Sequence, residues 1–225
     1  MTELPSSLRG RVLVAGAGVS GRGCVAMLAS LGVDTTVADS NETALAELAE
    51  EYGVATVSVD SAAQGDFDLV VTSPGWRPDS PLLVALQDAG VEVIGDVELA
   101  YRLDRAGVFG APRTWLVVTG TNGKTTTTGM LAQIMQADAE RTGKRALAVG
   151  NIGVSLFDAL TATPRVDVLC AELSSFQLHW SSHLRPDVGV LLNLADDHLD
   201  WHGSFDAYAR AKAKVLSGEV AVVGK

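Results

Sequence analysis

The sequence predicts an α/β protein built on parallel sheets, and three observations predict it. Short apolar runs recur along the chain, each continuous rather than alternating, as in strands buried on both faces. Helical patterns lie between several of these runs, which gives the rhythm of βαβ units. Two of the runs end in a glycine-rich turn that opens into a helix. The runs are Val12–Ala15, Thr35–Ala38, Leu69–Thr72, Trp115–Thr119, Ala146–Val149, Val166–Ala171, Val188–Leu192 and Val220–Val223. The helical patterns include Gly21–Ser30, Thr43–Tyr52, Pro81–Ala89 and Thr125–Gln136. The stretch Asp104–Arg113 (DRAGVFGAPR) carries two glycines and a proline, so it reads as a linker between two α/β units.

At 225 residues, 47% hydrophobic and 20% charged, the chain has an ordinary globular balance and can bury a sizeable core. A net charge of −10 argues against nucleic acid as a partner, because phosphate backbones need clustered Lys and Arg. It does not argue against a nucleotide, for which a few N–H groups and one lysine suffice. Cys24 and Cys170 each sit in an apolar stretch and read as two buried thiols in a reducing compartment. The opening MTELPSSLRGR lacks an apolar signal core, and no apolar run reaches the length of a membrane span. No membrane partner is therefore expected, and the cytoplasm is the default location. The run Val220–Val223 lies just before the end of the chain. A sheet that has just added a strand rarely stops there, so the second domain is expected to be incomplete.

The first chemical signal is RVLVAGAGVSGRGCVAML. Gly16, Gly18 and Gly21 form G-x-G-x-x-G between a strand and a helix, and Asp39 closes the next strand. This is the Rossmann-like arrangement: the glycines permit a tight turn and close approach of a diphosphate to a helix N-terminus. Asp39 is placed to accept from a ribose hydroxyl or a base edge. On its own the motif most commonly means NAD.

The second signal is WLVVTGTNGKTTTTGML, in which Gly120, Gly123, Lys124 and Thr125 give G-x-x-G-K-T. Val118 stands where the full phosphate-loop pattern has its first glycine. The physics is unchanged. Loop N–H groups and a helix dipole hold phosphates, Lys124 supplies a point charge, and the Thr125 hydroxyl can reach Mg²⁺. Beyond the loop, Glu172 ends a buried strand at the mouth of the sheet and can hold a cation bridging phosphates. Asn193 and the run Asp196, Asp197, His198, Asp200 and His202 suit a hard cation with mixed oxygen and nitrogen ligands. His179 and His183 read as surface or packing residues. Ser204–Leu216 reads as a helix capped by Ser204, with Lys212 on one face with Phe205, Tyr208, Val215 and Leu216 and Lys214 on a more polar side with Arg210. Desolvation would lower the pKa of Lys212 and let it react with CO₂, although periodicity alone favours a snorkelling lysine.

Taken in order, GTNGKTTTT, GNIG, ELSSFQL, DDHLDWHG and YARAKAK resemble the central domain of the muramyl ligases. GAGVSG, ADS, SPGW and GDVELAYR resemble the N-terminal domain of the branch that adds D-glutamate, and ELSSFQL separates that branch from its sisters. The resemblance runs from Val12 to Lys214. It implies a UDP-substrate-binding domain over residues 1–108 and a P-loop-type parallel α/β ATPase domain over residues 109–225, truncated, with the family's third domain absent and the fragment inactive alone.

The resemblance also implies residue roles. Gly18, Val19, Ser20 and Gly21 would hold the substrate diphosphate. Asp39 and Ser40 would meet the uracil, with Ser73, Pro74 and Gly75 lining the same cleft and Ser174 also touching substrate. Gly120, Thr121, Asn122, Gly123, Lys124, Thr125 and Thr126 would bind ATP, and Asn151 would face ATP or an acyl phosphate. Thr125, Glu172, His198 and a carbamylated Lys212 would hold Mg²⁺, with Lys124, His198 and Lys212 as the catalytic set. The implied reaction joins D-glutamate to UDP-N-acetylmuramoyl-L-alanine through an acyl phosphate, in peptidoglycan precursor synthesis, by a monomer. The competing readings are a sister amino-acid-adding ligase, an NAD-dependent oxidoreductase and a nucleotide-sensing module.

Overall fold

The computed structural model describes residues 4–224. The first three residues and Lys225, which the expected domain ranges include, lie outside them. The chain forms two compact units, Met1–Val108 and Phe109–Lys225.

The first unit contains β1 (Val12–Ala15), α1 (Val19–Ser30), β2 (Thr35–Ala38), α2 (Glu42–Tyr52), β3 (Ala55–Val57), α3 (Val59–Ala62), β4 (Leu69–Thr72), α4 (Pro81–Asp88), β5 (Glu92–Gly95) and α5 (Asp96–Arg105). Its strands form one parallel sheet in the order β3-β2-β1-β4-β5. Every residue of β1 and β4 is buried, which is why both read as unbroken apolar runs. The order reverses at β1, so the turn that follows it opens at a topological switch point, where such sheets bind ligands.

The second unit contains β6 (Thr114–Thr119), α6 (Lys124–Ala137), α7 (Ala139–Thr142), β7 (Ala146–Gly150), α8 (Leu156–Thr161), β8 (Val168–Glu172), α9 (Ser175–His179), β9 (Val188–Leu191), α10 (Leu199–His202), α11 (Phe205–Ala213) and β10 (Val220–Val223). The sheet order is β10-β9-β6-β8-β7, again all parallel, with β6 central. Trp115 and Val117 on β6 are completely buried. The turn that leaves β6 is again at a switch point.

The α/β expectation with two parallel sheets is borne out, and eight apolar runs became strands with small shifts at their ends. The expectation missed β3 and β5, three and four residues long and partly exposed. It also missed α5, whose core face carries Glu98, wholly buried and paired with Arg102 at 2.9 Å. The proposed linker needs correction. Asp104 and Arg105 belong to α5. Arg113 is buried and donates to the carbonyls of Val166 (3.0 Å) and Leu160 (2.6 Å). The connecting stretch is thus tied into the second unit. Both cysteines are buried free thiols, and burial pushes the Cys170 pKa up to about 11. Among the described residues no helix is long and apolar enough to cross a membrane.

The glycine turn after β1 depends on one close approach. A Cβ on Gly21 would sit 1.8 Å from the Gly16 carbonyl oxygen, so α1 could not pack this closely on the turn with any other residue there. Gly21→Ala should therefore destabilise the first unit by about 1–3 kcal/mol despite the better helix propensity of alanine. Urea unfolding would show this as a lower midpoint; an unchanged midpoint would contradict the packing argument.

Candidate functional site

In the first unit, the turn at Gly16–Gly18 and the segment after β4 face one cleft of 640 Å³. Gly18, Val19, Ser20, Asp39, Ser73, Pro74 and Gly75 line it, joined by Trp76 and Arg77. Gly16 has φ 109° and lies against the Ser73 hydroxyl, which is buried and without a hydrogen-bond partner. Gly18 is different: a side chain there would meet nothing within 4 Å. The fold does not need a glycine at that position, but a ligand approaching the α1 N-terminus does. Val19 is 95% exposed on the first turn of α1.

Asp39 has a more structural role than the sequence suggests. One carboxylate oxygen accepts from the Ala17 N–H at 2.6 Å and the other from the Asn41 N–H at 2.8 Å. It fixes the glycine turn and the start of α2, so a ligand must share an engaged carboxylate. Ser40 lines a second cleft of 570 Å³ with Asp39, Leu45, Thr56 and Ser58.

In the second unit the loop from Gly120 to Gly123 connects β6 to α6, with Gly123 in the left-handed region at φ 83° as the helix N-cap. Such a terminus presents unpaired N–H groups and the positive end of the helix dipole. Thr125 and Thr126 are exposed on its first turn. The Lys124 ammonium folds back onto the carbonyls of Gly120 (2.9 Å) and Thr121 (3.0 Å). Lys212 reaches the same Gly120 carbonyl at 2.9 Å and the Thr119 hydroxyl at 3.4 Å. It is 2% exposed and its ammonium stands 4.9 Å from the centre of the Tyr208 ring. Burial first, and then the Lys124 charge, push its pKa down to about 8, with Asp197 and Glu172 acting in the opposite direction.

Glu172 ends β8 at 1% exposure. One carboxylate oxygen accepts from the Asn151 side-chain amide at 2.8 Å; the other is buried and unpartnered. An orphaned carboxylate oxygen beside a phosphate loop is the kind of group a divalent cation satisfies, so this residue fits Mg²⁺. Asn151 is thereby placed as the residue that orients Glu172, with its backbone N–H also bonded to the Glu172 carbonyl at 2.9 Å.

Several sequence expectations change in detail. Ser174 is the N-cap of α9 in a capping box: its hydroxyl accepts from the Gln177 N–H and the Gln177 side chain accepts from the Ser174 N–H. Part of ELSSFQL is thus helix-start chemistry. The acidic run does not converge: among the described residues no three His, Cys, Asp or Glu side chains form a group that could hold a metal. His198 takes a left-handed conformation at φ 52°, lies 3.4 Å from the Asp197 carboxylate and packs on Phe176. His202 turns away from solvent into Phe176, Trp201 and Tyr208, with neither ring nitrogen hydrogen-bonded. Burial, with His198 and Lys212 nearby, pushes its pKa down to about 4. His179 joins this cluster as a packing residue edge-on to Trp180 and Trp201, and burial with Lys214 and His202 nearby likewise pushes it down to about 4.

On the next helix, Tyr208 and Lys212 are buried, as is Val215 in the 3₁₀ turn that follows Ala213, but Phe205, the first residue of α11, is 38% exposed. Lys214 donates to the His179 carbonyl rather than lying on a free polar side. Sequence reasoning placed Tyr208 only on the face of Lys212 and missed its contact with the Thr121 hydroxyl at 2.7 Å, as it missed Asn151 as an orienting group and Asn193 as a loop partner; only their adjacency to the motifs could have signalled these roles.

Two parallel sheets, each with a glycine turn at its switch point and one followed by a lysine-bearing G-x-x-G-K-T loop, have the architecture on which α/β proteins bind nucleotides. The Mur ligase MurD-like N-terminal domain matches residues 10–95 and the Mur ligase middle domain matches residues 118–222, so this chain belongs to the Mur ligase family. Over 220 residues it is 66% identical to UDP-N-acetylmuramoylalanine--D-glutamate ligase of Corynebacterium diphtheriae, covering 96% of this chain and 46% of that protein. The enzymes of the same name from Rhodococcus jostii and Mycobacterium leprae are 55% and 54% identical, each with 44% of its length covered. The chain thus spans less than half the length of these curated relatives. Among solved structures, the UDP-N-acetylmuramate-alanine ligase of Thermotoga maritima aligns with a TM-score of 0.51 at 22% identity, over 95% of this chain and 49% of that one. At that identity the likeness shows the fold alone.

The Lys212 environment makes a pH prediction. Its folded-state value lies below the ordinary 10.5, so between about pH 8 and 10.5 the unfolded chain binds more protons and stability rises with pH. Below pH 8 the buried ammonium costs about 3 kcal/mol. Lys212→Met, compared with the parent chain in bicarbonate-free buffer, should be more stable at pH 7 and lose that advantage towards pH 10.5. A difference that stays constant across this range would show that the lysine is not desolvated in the fold.

Proposed function

We propose that this chain provides the UDP-substrate-binding unit and the ATP-phosphate-binding unit of a cytoplasmic, monomeric ATP-dependent ligase that joins D-glutamate to UDP-N-acetylmuramoyl-L-alanine in peptidoglycan precursor synthesis. The observation that carries the reading is the grouping of Lys124, Lys212 and the unpartnered Glu172 oxygen around one phosphate loop. That grouping suits transfer of a phosphoryl group rather than of a hydride. The 66% identity to a D-glutamate ligase supports this substrate pair within the family.

In this reading the first-unit cleft holds the UDP moiety, its diphosphate on Gly18–Gly21 at the N-terminus of α1. Asp39 and Ser40 face the uracil, with Ser73–Gly75 opposite. ATP phosphates replace the loop carbonyls as partners of Lys124, with Thr125 and Thr126 at the helix start. The L-alanyl carboxylate oxygen attacks the γ-phosphorus and ADP leaves. The D-glutamate amine then attacks the acyl carbon, loses a proton, and inorganic phosphate departs as the amide forms. Lys124 neutralises charge that develops on the transferring group, and the loop supplies orientation. Glu172, held by Asn151, with Thr125, His198 and Lys212 as its carbamate, would hold Mg²⁺, which supplies charge neutralisation on phosphate oxygens.

Calorimetry of this chain should show UDP-N-acetylmuramoyl-L-alanine binding at least tenfold more tightly than NAD. The reverse order would favour a dinucleotide-binding oxidoreductase and overturn the assignment. Lys124→Ala should weaken ATP binding at least tenfold and leave UDP-substrate binding unchanged, since the lysine lies in the other unit. Undiminished ATP affinity in that variant would remove the phosphate-loop role.

A further inference from the structure

The loop that carries Lys124 does not hold its shape unaided. Its neighbour is the segment after β9. A Cβ on Gly120 would lie 3.0 Å from the Leu192 Cβ and 3.4 Å from the Asn193 nitrogen, so the two segments are in close contact. Across this contact runs an unusual set of bonds. The Asn193 side-chain oxygen accepts from the Asn122 N–H at 2.9 Å, and its side-chain nitrogen donates to the Asn122 carbonyl at 3.0 Å. The Asn193 carbonyl accepts from the Thr121 N–H at 3.1 Å. The Thr121 hydroxyl in turn accepts from the Ala195 N–H at 3.0 Å and meets the Tyr208 hydroxyl at 2.7 Å.

An uncharged amide side chain offers a donor and an acceptor side by side, and it pairs with a backbone residue as a strand neighbour does. Both backbone groups of Asn122 are consumed in this way. Its N–H is therefore not available to a phosphate, and the orientation of the residue is fixed. The N–H groups left for an anion are those of the α6 start, which no i−4 carbonyl can satisfy. Without these bonds a loop of small polar residues would sample many conformations and lose entropy on binding, which lowers affinity.

We infer that Asn193 and Tyr208 are positioning residues that latch the phosphate loop, through Asn122 and Thr121, in its anion-binding shape before nucleotide arrives. The inference rests on the reading of Gly120–Thr126 as a nucleotide phosphate site and adds residues outside the motif to it. The latch also links the loop to the segment that carries His198, since Asn193 and Ala195 lie between β9 and that histidine.

The test uses the whole chain and a ribose-labelled fluorescent ATP in magnesium buffer. Asn193→Ala should weaken binding about fivefold to tenfold, and Tyr208→Phe, which keeps the ring, about threefold. Amide hydrogen exchange at residues 121–124 should quicken in both variants without nucleotide, while affinity for UDP-N-acetylmuramoyl-L-alanine stays at the parent value. Lys124→Ala serves as the reference. If it weakens ATP binding while both latch variants bind as the parent does, the latch is wrong and the phosphate site stands. If Lys124→Ala itself has no effect, the underlying site assignment fails first. A loss in Asn193→Ala with parent-like exchange at 121–124 would also overturn the inference, because the residue would then act by direct contact rather than by holding the loop.

Discussion

The loops that carry this chemistry all leave from the same edge of a parallel sheet, and that constraint organises the molecule. Parallel pairing places every strand's carboxyl end on one side, and the central strand of each sheet sends its chain into a glycine turn there. The turn works only where side chains are missing. Gly21 lets α1 approach the Gly16 carbonyl, and Gly123 takes the left-handed conformation that starts α6. Each helix then directs unpaired N–H groups and a partial positive charge towards the mouth of its sheet.

In the second unit this positive end is reinforced to a degree the fold alone does not require. Two ammonium groups meet on the Gly120 carbonyl, and one of them, Lys212, is buried with its charge disfavoured. A carbonyl oxygen is a weak counterpart for two cations; Asp197 and Glu172 bring negative charge to Lys212, and in the proposed reading a phosphate adds to it. Glu172 complements the picture from the other strand end, its carboxylate half satisfied by Asn151 and half free. In the proposed reading these charges suit an anion and a cation that arrive together, as a nucleotide and its metal ion do.

Much of this was legible in the sequence because burial on both faces leaves a strong imprint. Val12–Ala15 and Leu69–Thr72 are apolar without interruption and were located at their observed bounds. The glycine turns were legible because their spacing answers a steric demand. What escaped was of two kinds. Short or partly exposed elements such as β3 lack the imprint, and α5 hides a buried Glu98–Arg102 pair that looks like solvent-facing charge. The other kind is the assignment of partners. Composition placed His202 among metal ligands, but the ring packs into an aromatic cluster formed with Phe176, distant in sequence. Asp39, Asn151 and Ser174 were singled out as motif positions, and the structure shows each bonded within the protein, a fact that depends on contacts no local pattern encodes.

The central claim is that one chain carries two separate nucleotide-phosphate sites, one at the switch point of each sheet. The most direct measurement is a calorimetric titration of ATP with Mg²⁺ into this chain already saturated with UDP-N-acetylmuramoyl-L-alanine. The account predicts a second equivalent bound, with an affinity for ATP no weaker than that of the chain alone. Displacement of the first ligand by ATP, with a total of one nucleotide per chain, would contradict it.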